Sequence, residues 1–212
     1  RQRQMCIRDR VRPGSSLLDI SIDIENLSEY PMDLMYMCHV NFRPVAGGRI
    51  VQSADWSAEN MRLRAAFPSH VRVSDSLKEL LPKLRERPEI TDTIRPEYEF
   101  DPEVVYFIRR TKSDKDGNAH FMQVHPDGSA DYVTFDAKRL DRTTRWIVLT
   151  KNQRALGIAL PATAEPEGFQ AEKKKGYVRR LEGKASVRFS VAAGSVSAEE
   201  ARRIETAVAA LR

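Results

Sequence analysis

The chain has few cysteines: only Cys6 and Cys38 occur among its 212 residues. Two isolated cysteines supply neither a disulfide framework nor the paired spacing of a zinc site. The sequence also lacks an apolar run near the ~20 residues that a membrane-spanning helix needs. It shows no series of basic, apolar and small residues that marks a secretory signal. These absences predict a cytoplasmic protein without membrane association.

The short motifs of several common enzyme classes are missing as well. The sequence has no glycine-rich phosphate loop, no Gly-x-Ser-x-Gly nucleophile elbow and no His-Glu-x-x-His metal motif. We therefore predict no cofactor and no metal ion. Any site must be built from side chains that are scattered along the chain and brought together by the fold.

Positive charge is present but unevenly placed. The formal net charge is +5, and the first ten residues, RQRQMCIRDR, carry +3 of it, which leaves +2 for the rest. So small a surplus gives no argument for a nucleic-acid partner. Residues 1–10 resemble nothing else in the chain, and we expect them to be a non-native leader joined to a truncated gene. Nothing in the sequence indicates an oligomeric state.

Alternating apolar and polar residues dominate the chain after residue 14. Ser15–Asn26 alternates well, and Met32–Phe42 is interpreted as a strand that returns beside it as a hairpin. Nine or ten such strands, separated by tight turns, predict an all-β sandwich of antiparallel sheets over residues 11–194. Ser74–Arg87 has helical spacing interrupted by Pro82, which predicts one or two short helical turns. Residues 195–212 have the capping box and apolar stripe of an amphipathic helix.

His39 is the first candidate for chemistry, because an imidazole transfers protons near neutral pH. Its alternative interpretation is a core histidine bonded to a carbonyl. Asn41 follows on the same predicted face, and Arg43 lies just beyond. Asp101 and Glu103 precede an apolar strand and share a face. For them the alternative is a solvated strand entry.

Arg145 and Trp146, together with Lys151, form a third candidate group. A strand-borne indole stacks on the apolar face of a sugar, and a nearby ammonium can donate to hydroxyls. The alternative is a core tryptophan beside solvated cations, which is the usual case. A further basic patch, beginning at Lys173–Lys175 and including Arg179, Arg180, Lys184 and Arg188, is either a solvated surface or a site for an anionic ligand.

Three segments, in order, resemble the galactose mutarotase superfamily. They are MDLMYMCHVNF, then DPEVVYFIRR followed by DGNAHFMQVHPDG, then RWIVLTKNQRALGIALP. The run from Ser15 to about Ala192 is similar to the C-terminal part of an uncharacterised aldose 1-epimerase-like branch. The resemblance implies an antiparallel β-supersandwich that is incomplete at its N-terminus. It also implies interconversion of the α and β anomers of a free sugar.

In that family a glutamate takes the proton of the anomeric hydroxyl, a histidine protonates the ring oxygen, and an aspartate binds sugar hydroxyls. By resemblance His39 matches the histidine and Asp101 the aspartate. The glutamate position falls on Leu160 or Pro161, which cannot accept a proton, so Glu165 or Glu167 in the next loop would have to substitute.

Three hypotheses for the function therefore stand. The first is a carbohydrate-binding aldose 1-epimerase homologue that acts on a small-molecule sugar. Its site would be His39 and Asp101, with a pocket lined by Asn41, Arg43, Glu103, Trp146 and Lys151. The second is a non-catalytic carbohydrate-binding module, because the base is replaced. The third is a structural domain without a ligand.

Overall fold

The computed structural model describes residues 3–64, 66–67 and 69–211. Within these residues twelve strands and three α-helices follow one another along the chain. The strands are β1 (Arg3–Val11), β2 (Leu17–Asn26), β3 (Met32–Leu34), β4 (Arg49–Gln52), β5 (Met61–Leu63), β6 (Phe100–Ile108), β7 (Asn118–Val124), β8 (Ala130–Asp136), β9 (Arg142–Leu149), β10 (Arg154–Ala162), β11 (Arg179–Leu181) and β12 (Ser186–Val196). The helices are α1 (Asp75–Glu86), α2 (Phe169–Lys175) and α3 (Ala198–Ala209), with a short 3₁₀ helix at Pro88–Thr91.

Two antiparallel sheets form the two main layers. The large sheet has the strand order β1-β2-β12-β8-β7-β4, and the small sheet has the order β10-β9-β6-β5. A further two-stranded pair joins β11 to β3. Buried side chains from both sheets, such as Phe121 and Phe189 from the large one and Tyr106 and Ile147 from the small one, belong to one core cluster. The predicted all-β antiparallel sandwich with a C-terminal helix is confirmed.

Strand β2 shows why the alternating pattern identifies strands. Ile22 and Ile24 are buried at 5% exposure, while the carboxylate of Asp23, between them, pairs with Arg188. The partner strand β12 is far away in sequence, with Phe189 opposite Ile22. Successive strand residues point to opposite faces, so one face joins the core and the other carries charge.

The predicted hairpin between Ser15–Asn26 and Met32–Phe42 does not form. Strand β2 pairs with β1 and β12 instead, and β3 ends at Leu34 after pairing with β11. Residues 36–42 then run antiparallel to β10, with isolated bridges at Met37–Ala162 and Phe42–Leu156. Alternation tells which face of a strand is apolar, but it does not tell which strand will be its partner.

Both predicted helical regions contain helices, with one difference. Helix α1 is a single helix of 12 residues that continues through Pro82, not one or two separate turns. Proline removes one backbone hydrogen bond, but the fully buried Leu77 and Leu84 hold the helix against the core on both sides of it. In α3 the capping box predicted from Ser197 and Glu200 is present. Among the described residues, no helix is both long enough and apolar enough to cross a bilayer.

The buried side chain of Asn26 connects the turn after β2 to the end of β11. Its amide nitrogen Nδ2 lies 2.8, 3.1 and 3.0 Å from the carbonyls of Tyr30, Leu181 and Glu182, and the residue is 1% exposed. We expect Asn26→Ala to lower the free energy of unfolding by about 2–3 kcal/mol, because buried carbonyls lose their donor. Urea unfolding measures this. Asn152→Ala, in an exposed turn, is the control, and equal midpoints for the two variants would contradict the assignment.

Candidate active site

The outer face of the small sheet brings together three of the predicted site residues, His39, Glu103 and Trp146. Tyr106 on β6 and Arg145 on β9 lie opposite each other and point into the core. Their neighbours Val105 and Trp146, also opposite each other, therefore point outward. On β5, at the sheet edge, Arg62 lies opposite Phe107 and its guanidinium stacks 4.8 Å from that ring.

His39, Trp146, Glu103 and Arg64 form one cluster on this face, which we call the His39 cluster. The rings of His39 and Trp146 meet edge to face, with centroids 5.6 Å apart. The Trp146 indole Nε1–H donates to Glu103 Oε2 at 2.5 Å, and Arg64 pairs with the other oxygen of Glu103. His39 is exposed and Trp146 is half-buried. An accessible imidazole, an aromatic edge and a fixed carboxylate thus lie side by side.

The other residues predicted to line the site make no hydrogen bond to a member of this cluster within the described part of the chain. Asn41 and Arg43 are exposed on the chain that follows His39, and the Arg43 carbonyl accepts from Gln123 Nε2 at 3.0 Å. The Asp101 carbonyl accepts from the backbone of Ser74 at 2.9 Å. Lys151 is exposed in the turn between β9 and β10. Their roles as site residues stay predictions.

The register of residues 36–42 on β10 determines what faces His39. Met37 forms an antiparallel bridge with Ala162. His39 is two residues after Met37 and Leu160 is two residues before Ala162, so this register places Leu160 opposite His39. Leu160 is 2% exposed. By resemblance the proton-accepting glutamate of the family is expected at Leu160 or Pro161, so an apolar side chain lies opposite the predicted acid. Glu165 lies in the loop that follows β10, three residues after the end of this strand at Ala162.

Glu165 and Glu167 instead belong to a second group, which we call the Lys175 cluster. The Lys175 ammonium contacts Glu165 at 2.6 Å, Glu167 at 2.5 Å and Glu172 at 2.7 Å. Arg62 donates to Glu165 at 2.9 Å and to Glu167 at 3.0 Å. The ammonium occupies the point where the three carboxylates converge, so the protein's own cation neutralises a group that would otherwise suit a metal ion.

Electrostatics in the Lys175 cluster favour the charged forms of Lys175 and Glu167. Burial disfavours the cation, but the surrounding carboxylates outweigh it and raise the pKa of Lys175. Burial also opposes ionisation of Glu167, yet hydrogen bonds from Lys175 and Arg62 hold its pKa below the ordinary value. Glu165 and Glu167 are therefore committed to ion pairs, which makes them poor substitutes for the missing base.

The basic patch predicted as a surface or an anion site is paired with acidic residues. Arg179 lies 2.7 Å from Asp141, and Lys184 lies 3.0 Å from Glu29. Arg188 pairs in the same way with Asp23, and Arg180 with Glu182. Charges that are neutralised locally offer little to an external anion, so this arrangement favours the solvated-surface interpretation.

Arg62, Arg64 and Lys175 carry only a weak signal in the sequence. In Met61–Arg64 the two arginines are separated by one leucine, a period-two pattern that puts both on one face of a strand. Four residues are too few for such a pattern to identify a strand. Lys175 is one member of a lysine run, and only the fold reveals that it turns back onto three glutamates.

A scan against protein-family models and a search of curated proteins find no match to this chain. Solved structures do match. A protein from Klebsiella pneumoniae subsp. pneumoniae MGH 78578, described as a "putative aldose 1-epimerase", superposes with a TM-score of 0.76 at 20% identity. The match covers 99% of this chain and 50% of that one. The chain has the galactose mutarotase-like fold.

Two further structures match less closely. The Slr1438 protein from Synechocystis sp. PCC 6803 matches with a TM-score of 0.55 at 14% identity, over 90% of this chain and 54% of that one. A galactose mutarotase-like protein from Clostridium acetobutylicum matches at 0.48 and 10% identity, over 92% and 62%. The chain therefore spans about half the length of the first two structures it matches. Likeness at this level of identity establishes the fold, and the activity is argued separately.

Removing the central ammonium tests the Lys175 cluster. Glu165 and Glu172 have side chains that are 2% and 0% exposed. Lys175→Met therefore leaves the buried carboxylate of Glu172 without its cation and leaves Glu165 paired with Arg62 at 2.9 Å. We expect a loss of about 3 kcal/mol in the free energy of unfolding at neutral pH, measured with urea. The exposed Lys174→Met is the matched control.

The stabilisation by the Lys175 cluster should also depend on pH. The folded-state pKa of Glu167 is lowered from its ordinary value of 4.5. Its contribution to the free energy of unfolding is therefore complete above pH 4.5 and is lost as the pH falls through the folded-state pKa. The stability difference between wild type and Lys175→Met should therefore shrink on acidification. A difference that stays constant from neutral pH down to the acidic range below the ordinary glutamate pKa would show that the cluster is not ionised as described.

Proposed function

We propose that this protein binds a small free sugar on the outer face of the small sheet and catalyses the exchange of its anomers. One observation carries the proposal: the His39 cluster places an exposed imidazole, an indole and a carboxylate next to one another on a mutarotase-like fold. Sugar rings have apolar faces and hydroxyl edges, so an aromatic surface beside polar groups suits them.

In the proposed reaction His39, as the imidazolium, donates a proton to the ring oxygen. Glu103 accepts the proton of the anomeric hydroxyl, the ring opens to the aldehyde, and rotation about the C1–C2 bond followed by closure gives the other anomer. A carboxylate has about four lone-pair positions. Arg64 and Trp146 each use one of the positions on Glu103, so capacity remains for a substrate proton.

The supporting roles follow from position. Asn41 and Arg43, exposed beside His39, and Lys151, in the neighbouring turn, are assigned to hydroxyl binding, as is Asp101. Glu165 and Glu167 are assigned to the Lys175 cluster rather than to the proton transfer, because their partners are within the protein. The cytoplasmic location predicted from the sequence is part of the same proposal.

A non-catalytic carbohydrate-binding module is the second candidate. The buried Leu160 opposite His39 favours it, because the resemblance puts the base of the family at Leu160 or Pro161. If Glu103 serves only to orient Trp146, the cluster would hold a sugar without opening its ring. The two functions differ in one observable, the rate of anomer exchange.

Exchange spectroscopy by NMR on a panel of free aldoses, using the full-length gene product, tests the proposal. We expect faster anomer exchange, and a loss of about 10²-fold or more in His39→Ala and Glu103→Gln, since general acid–base groups contribute on this scale. His70→Ala, an exposed histidine outside the cluster, is the control. Line broadening of a sugar without faster exchange would establish the binding module, and neither effect on any sugar would reject both functions.

A further inference from the structure

Glu103 lies at an irregular point of strand β6. The antiparallel register between β6 and β9 shifts between Phe100 and Val104, so the regular ladder of hydrogen bonds is interrupted at Glu103. Irregularities of this kind change the direction in which a side chain points, and they are common beside active sites. Backbone pairing alone therefore does not determine where the Glu103 carboxylate lies, and side-chain contacts have to do so.

Two donors hold this carboxylate, one from each side. Strand β6 lies between β9 and β5 in the small sheet. The Trp146 indole of β9 donates to Oε2 of Glu103, and Arg64, directly after β5, donates from Nη2 to Oε1. The Glu103 side chain is 26% exposed, so water can reach it. Without its two donors the carboxylate would be free to turn towards solvent.

Arg64 is itself held by the sheet. Its backbone N–H donates to the Val105 carbonyl at 2.8 Å, which continues the pairing of β5 with β6. Its guanidinium lies 6.0 Å from the centre of the Phe67 ring, and its side chain is 23% exposed. Within the described ranges, Glu103 is the only side chain to which this guanidinium donates. The two side chains therefore determine each other's position.

Arg62 provides a comparison on the same strand. It lies two residues before Arg64, on the same face, and donates to two glutamates of the Lys175 cluster. Those glutamates have a second cation, the ammonium of that cluster. Among the described residues Arg64 is the one cation that pairs with Glu103. Removing Arg64 therefore leaves Glu103 without a replacement, whereas removing Arg62 does not affect Glu103 directly.

We propose that Arg64 is a positioning residue for proton transfer at this site. By pairing with one carboxylate oxygen of Glu103, it keeps the other oxygen beside the Trp146 indole, in the cluster that His39 shares. This inference rests on the proposed function, in which Glu103 accepts the proton of the anomeric hydroxyl. Arg64 acts through Glu103 and not on the sugar, and its guanidinium keeps its own protons throughout.

The indole N–H resonance of Trp146 tests the positioning without reference to activity. The chain has two tryptophans, so a proton–nitrogen correlation spectrum has two indole peaks, and Trp56→Phe assigns them. A hydrogen bond to a carboxylate moves the indole proton downfield. We expect Arg64→Met to move the Trp146 peak upfield, in the same direction as Glu103→Ala, which removes the acceptor. Arg64→Lys should largely restore it, because a single nitrogen of Arg64 makes the pairing. An unmoved peak in Arg64→Met would overturn the proposal.

Anomer exchange measured against sugar concentration tests the role in the reaction. We expect Arg64→Met to lower kcat by about 10²-fold, the scale of a slightly misplaced catalytic group, with KM little changed. Arg64→Lys should recover most of this loss, and Arg62→Met should keep the wild-type kcat. An unchanged kcat in Arg64→Met, or an equal loss in Arg62→Met, would overturn the positioning role and leave the proposed function in place. No acceleration by wild type on any aldose would reject both.

Discussion

The antiparallel hydrogen bonding between residues 36–42 and strand β10 is the constraint on which the candidate site depends. The Cys38 N–H donates to the Pro161 carbonyl and the Thr163 N–H to the Tyr36 carbonyl, each at 2.9 Å. These bonds set Leu160 opposite His39 and bring the imidazole to the edge of Trp146. A shift of one residue would reverse the faces and bury His39. Register, more than any single side chain, therefore determines what the outer face of the small sheet presents.

Two polar groups with different electrostatics lie on this outer face. The His39 cluster has one carboxylate and leaves its imidazole exposed, so it can still take part in proton transfer. In the Lys175 cluster an ammonium and a guanidinium pair with three carboxylates, so its charges are compensated within the protein. This difference is why Glu165 and Glu167, although acidic and in the right loop, fit a structural role better than a chemical one.

Most strands, the antiparallel class and the C-terminal helix could be predicted, because each depends on local periodicity or capping. Alternation in Ser15–Asn26 and the capping box at Ser197 are signals of this kind. Strand partners are harder to predict: β2 pairs with β12, more than a hundred residues away in the chain, and periodicity carries no information about that choice. His39 stands out as a polar residue in an apolar run, whereas Arg64 and Lys175 gain their meaning only from the side chains that the fold brings beside them.

The burial of Leu160 also limits which side chains this position can accept. At 2% exposure, a carboxylate placed here would put an ionisable group into an apolar space, which raises its pKa. A glutamate introduced at this position would therefore favour its neutral form, and the apolar side chains around it would have to repack before it could act as a base.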